Sequence, residues 1–134
     1  MSFVIDASIL AAWFLDEKSD PRVETAFDAL VRGEARAPSL LFYEFRNALL
    51  SSERRRRIAQ AVSDAILREF AILQIRLEPP REETSLMALA RARKLTVYDA
   101  AYLELAIREG LPLATLDRAL EQAAAAEGVA LFGA

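Results

Sequence analysis

With 134 residues, 54% of them hydrophobic, the chain is sized for one domain over residues 1–134 and carries enough apolar side chain for a buried core. It contains no cysteine and no histidine, which excludes a disulfide framework, a thiolate zinc site, a thiol nucleophile and the commonest general base. The formal net charge of −3 supplies no global basic field, so binding to nucleic acid would require a local basic patch. Catalysis would have to rest on carboxylates, hydroxyls, amides, Lys or Arg. Any metal would be a hard divalent cation with oxygen ligands, Mg²⁺ or Mn²⁺ first.

In chain order, Phe3–Ile5 reads as a short buried strand, and Ser8 begins a helix over residues 8–15 that is too apolar to stand exposed. That stretch is short, follows Asp6, and has neither a basic leader nor a small-residue cleavage site, so it is not read as a signal peptide. No run approaches a membrane span, and the expectation is a cytoplasmic protein of a reducing compartment. Asp20 as N-cap and Pro21 at the first helical position open a second helix, with Val23, Phe27, Leu30 and Val31 at helical spacing up to Gly33.

Ala35–Pro38 is a predicted strand, after which Ser39 is expected to cap a helix over residues 40–51. In that helix Glu44 and Asn47 share a face at i and i+3. Beyond the basic run Arg54, Arg55, Arg56 and Arg57, the spacing of Ile58, Val62, Ile66, Leu67, Phe70 and Leu73 predicts another amphipathic helix. Ile75–Glu78 reads as a strand ended by Pro79 and Pro80. Helices are predicted over residues 82–94 and 99–109, the second stopped by Gly110. A strand over 113–115, an alanine-rich helix over 117–127 and a final strand over 129–132 complete the chain.

Strands alternating with helices argue for an α/β sandwich with a mainly parallel sheet, and ligands of such sheets bind beyond the carboxyl ends of the strands. Asp6 ends the first strand and Asp117 follows the apolar run 113–116, while Glu44 and Asp99 fall in the first turns of predicted helices. The topology therefore gathers four acids at one edge. Converging carboxylates repel one another unless a cation sits among them, and metal ions supply what phosphodiester hydrolysis needs, an activated water and relief of growing negative charge.

Each acid also has a plain local role: Asp6 and Asp117 can cap helices, Asp99 suits a helix dipole, and Glu44 can be an ordinary solvated helix residue. The hydroxyls of Ser8 and Thr115 can orient a carboxylate, a water or a phosphate, or merely cap amides. Arg46 and Arg54 to Arg57 are candidate contacts to phosphates or to a protein partner, and the run, following the Glu44 helix, is expected either to border the acidic pocket or to form a solvated face. Trp13, Phe14, Phe42, Phe45 and Tyr102 lie in apolar helical stretches and read as core or interface rather than as base-stacking platforms.

Four segments in this order, Val4 to Ser8, Glu44 to Leu49, Leu95 to Ala106 and Leu113 to Asp117, resemble the PIN-domain ribonucleases, and the VapC toxins most. The resemblance covers essentially the whole chain. It implies a three-layer α/β/α sandwich around a short parallel sheet, cleavage of RNA dependent on Mg²⁺ or Mn²⁺, a homodimer, and a cognate VapB-like antitoxin. The family's acidic quartet carries onto Asp6, Glu44, Asp99 and Asp117, its small hydroxyl onto Ser8, its helix amide onto Asn47 and the hydroxyl before the last acid onto Thr115. A non-cleaving RNA-binding regulator on the same scaffold is the alternative. A receiver domain is disfavoured because Ala7 follows Asp6 and the segment 113–115 has no lysine, and a haloacid-dehalogenase-like phosphatase because Ser8 stands where a second aspartate belongs.

Overall fold

A computed structural model describes residues 2–15 and 20–133. Strand β1 (Phe3–Ile5) has no exposed side chain, as expected of an inner strand in a parallel sheet covered on both faces. It pairs with β2 (Ala35–Pro38) on one side and β4 (Leu113–Ala114) on the other, with β3 (Ile75–Glu78) beyond β2. The order is β3-β2-β1-β4, and every pair is parallel.

The helices are α1 (Ala7–Leu15), α2 (Pro21–Arg32), α3 (Leu41–Arg54), α4 (Gln60–Ile72), α5 (Glu83–Arg93), α6 (Val97–Glu109) and α7 (Arg118–Ala126). Helix α1 packs on α2 and α3, and α3 on α4; α6 lies across β1, β2 and β4, with α5 and α7 beside it. The result is a three-layer α/β/α sandwich. Among the described residues no helix is long and apolar enough to cross a membrane.

Parallel topology decides where side chains meet. Helix α3 leaves β2 directly, so its first turn lies at the carboxyl edge of the sheet. Helix α6 leads into β4 and must run back across the sheet before that strand can start parallel to β1. Its first turn therefore lies at the same edge, as do the residues just after β1 and β4.

Several boundaries depart from the sequence expectations. The final strand over 129–132 reduces to one parallel bridge, Leu113 with Leu131, because β4 is only two residues long and offers little ladder. Phe132 N–H donates to the Leu113 carbonyl at 2.9 Å, and its ring is stacked on Phe3 with centroids 4.2 Å apart. Ser39 does not cap α3; its N–H still donates to the Glu78 carbonyl at 2.8 Å, continuing the sheet, and Leu40 takes the cap position with no side-chain bond. Helix α6 opens two residues earlier than expected, at Val97, because the Thr96 hydroxyl accepts from the Asp99 N–H at 3.1 Å. Asp117 caps α7 rather than beginning it.

Gly110 ends α6 at φ +65°, where an added Cβ would meet nothing within 4 Å. Gly110→Ala should therefore lower the unfolding free energy by the backbone term alone, about 1–2 kcal/mol. A urea titration giving a loss above about 4 kcal/mol would contradict this account of the turn.

Candidate active site

The centre of the carboxyl edge is Asp6, a carboxylate only 5% exposed. Its Oδ1 accepts from the Ser8 hydroxyl at 2.5 Å and from the N–H groups of Ser8 and Ile9 at 3.0 and 3.3 Å. Its Oδ2 accepts from the Thr115 hydroxyl. The two hydroxyls are themselves held by the chain after β4: Leu116 N–H donates to Ser8 Oγ at 2.9 Å, and Asp117 N–H to Thr115 Oγ1 at 3.0 Å. Burial lifts the Asp6 carboxyl to about 6, against the hydrogen bonds from Ser8, Thr115 and Ile9 that favour the anion.

Glu44 and Asp99 face each other from the first turns of α3 and α6, and both are partly buried. Glu44 Oε1 accepts from the Tyr102 hydroxyl at 2.5 Å. Its pKa is raised, first by burial and then by the negative charge of Asp99, while the Tyr102 bond opposes the rise. Burial also raises Asp99, the charge of Asp117 adds to it, and the Thr96 hydroxyl works against both. Asp117 Oδ1 accepts from Leu120 N–H at 3.0 Å as the cap of α7. The Tyr102 phenol lies well above the ordinary tyrosine range, chiefly through burial and the Glu44 bond, with the charges of Glu44, Asp6 and Asp99 contributing. All four acids are thus within electrostatic reach of a common neighbourhood.

Comparison with known proteins bears on this arrangement. The PIN domain profile matches residues 3–126. The chain belongs to the PIN-domain family. It is 32% identical over 126 residues to ribonuclease VapC3 of Pyrobaculum aerophilum, covering 91% of this chain and 94% of that protein. It is also similar to the crystal structure of PAE2754 from Pyrobaculum aerophilum, with a TM-score of 0.71 and 28% identity over 92% of this chain and 84% of that one.

The remaining candidates of this PIN domain are less central. Asn47 is exposed on α3, one turn after Glu44. Arg46 lays its guanidinium over the Phe42 ring, 3.6 Å from the centroid, and donates to the Phe42 carbonyl at 3.0 Å. Arg54 ends α3, and Arg54 to Arg57 are all exposed. The run does not border the acids: ten residues of helix put it about 15 Å along the axis from Glu44. Tyr102, read from the sequence as core, has its ring in the core and its hydroxyl on Glu44. A signal was available, since Tyr102 lies at i+3 from Asp99 and a buried phenol requires a polar partner.

The donor set is entirely carboxylate and hydroxyl oxygen, as hard divalent cations require. Among the described residues no three acids stand close enough to grip one ion together. That arrangement still fits Mg²⁺, which keeps several waters and takes one or two carboxylates directly.

Without metal, the raised Asp6 carboxyl makes stability depend on pH. Between its ordinary value of 3.8 and about 6, the folded chain holds a proton that the unfolded chain has released, so stability falls as pH rises through that window. Asp6→Asn is expected to make the metal-free protein more stable than wild type at pH 7.5, by on the order of 2 kcal/mol. The gap should close as pH falls below 6. Denaturant curves in which the variant is no more stable at pH 7.5 would contradict it.

Proposed function

We propose that this PIN domain is an endoribonuclease dependent on Mg²⁺ or Mn²⁺ and the toxin of a VapBC-type toxin–antitoxin pair. One observation carries the reading: Asp6, Glu44, Asp99 and Asp117 come from four separate segments to one sheet edge, where Asp6, Glu44 and Asp99 act on Tyr102 and Asp117 acts on Asp99. The 32% identity to a protein named ribonuclease VapC3 supports RNA as substrate and a VapB-like antitoxin as partner.

One or two of Asp6, Glu44 and Asp99 would hold the cation directly and the remainder would act through its bound waters, with Asp117 assisting. When bound, the cation supplies an activated water and offsets charge growing on the phosphoryl oxygens and the leaving group. The chain itself contributes position. Ser8 and Thr115 fix both oxygens of Asp6 before substrate arrives, so that carboxylate has little reorganisation left to undergo. The α7 cap orients Asp117 through one oxygen. Asn47, one turn beyond Glu44 and exposed, is available to a phosphate oxygen or a water.

Arg54 to Arg57 would meet RNA away from the scissile bond or engage a partner. Exposed Phe42, Tyr43 and Leu50 on α3 support a protein contact there, which suits a homodimer. RNA as substrate and a chain without cysteine both suit the cytoplasm.

Labelled RNA incubated with purified protein is expected to be cut when Mg²⁺ or Mn²⁺ is added and left intact in a chelator. Asp99→Asn and Glu44→Gln should reduce cleavage to background while leaving circular dichroism unchanged. Wild-type rates in both variants, with contaminating nuclease excluded, would sink the assignment, and RNA retained but uncut in either cation would make the protein a binder. Co-expression with the product of the neighbouring reading frame should yield a complex in which cleavage is suppressed. A complex cutting at full rate would remove the antitoxin from the proposal.

A further inference from the structure

Tyr102 is 2% exposed, with its ring in the core. Its hydroxyl donates to Oε1 of Glu44 at 2.5 Å, a bond between side chains 58 residues apart that ties α6 to α3. Two features separate it from an ordinary satisfied core tyrosine. The partner is one of the edge carboxylates, and among the described residues only one of that carboxylate's oxygens is engaged.

Asp99 stands three residues before Tyr102 on α6, and its charge opposes that of Glu44. A half-buried glutamate facing a like charge gains by rotating away. Its three side-chain torsions make that rotation easy, and freezing them against repulsion costs conformational entropy as well. The hydroxyl of a ring locked in the core supplies a fixed point against both.

We infer that Tyr102 is a positioning residue: its hydroxyl pins Glu44 beside Asp99 against their mutual repulsion and leaves Glu44 Oε2 as the oxygen available to a cation. This rests on the cation-dependent reading above. Groups that orient a metal's carboxylate ligands typically change metal affinity or activity 10–100-fold when removed, on the order of magnitude known for such outer partners.

Tyr102→Phe keeps the ring and deletes only the bond. Calorimetric titration with Mn²⁺, in the absence of RNA, is expected to show binding to Y102F weaker than to wild type by about 10-fold or more. The unfolding midpoint of the metal-free variant should stay close to wild type. In a Glu44→Gln background the same change should have no further effect on Mn²⁺ binding, because the carboxylate it positions is gone. Cleavage should follow binding, with the half-saturating cation concentration rising while the KM for RNA at saturating cation holds.

Unchanged Mn²⁺ affinity in Y102F overturns the inference, as does a fall in the unfolding midpoint with no change in affinity. An equal loss of affinity from Y102F in the wild-type and E44Q backgrounds overturns it too, since the effect would not pass through Glu44. Failure of the wild-type protein itself to bind Mn²⁺ and cut RNA removes the functional reading, which separates the two failures.

Discussion

Two hydroxyls from residues 107 apart close on a single buried carboxylate, and the geometry of the carboxyl edge follows from that closure. Ser8 belongs to the start of α1, Thr115 to the segment just after β4, and each donates to Asp6 while accepting a backbone N–H from the β4–α7 connection. The strands β1 and β4 are short, so ladder bonds alone leave their ends loosely defined. Side-chain bonds extend the pairing past the last ladder residue and fix where Asp117 sits relative to Asp6. Loss of either hydroxyl would leave a buried acceptor or donor unmatched, which is costly in a low-dielectric setting.

Gathering like charges works against folding, and the architecture moderates the conflict. Each of the four acids lies at the amino end of a helix: Asp6 bonds the first N–H groups of α1, Glu44 and Asp99 occupy the first turns of α3 and α6, and Asp117 caps α7. The partial positive charge of four helix termini therefore faces the same neighbourhood. It offsets part of the repulsion without abolishing it: Glu44 and Asp99 remain harder to ionise than free carboxylates, first through burial and then through the charges of Asp99 and Asp117, whereas Asp6 is raised by burial. The local roles of capping and dipole compensation are thus compatible with a shared site.

Much of this was legible in the sequence because parallel α/β topology converts chain order into position. The apolar triplet Phe3–Ile5, the Asp20-Pro21 helix start and the Gly110 stop all appear where local patterning put them. The quartet of acids was legible for the same reason, each occupying a strand end or helix start. What was not legible depended on neighbours distant in sequence. Ser39 has the chemistry of a cap but remains bonded to Glu78 of β3. The segment over 129–132 has strand composition, yet β4 is so short that the pairing stops at a single bridge. The Arg54 to Arg57 run is adjacent to the Glu44 helix in sequence, but the length of that helix carries it away. Tyr102 looked apolar because its helix is, and only the fold reveals what its hydroxyl touches.

The pairing of β1 with β4 has a bearing on synthesis. The Thr115 partner of Asp6 and the Leu116 partner of Ser8 lie more than a hundred residues later, and contacts of such separation form late because loop closure must precede them. A nascent chain emerging amino end first would carry Asp6 long before the segment that completes its surroundings. The acidic edge is thereby kept unassembled until the segment carrying Thr115 has been made.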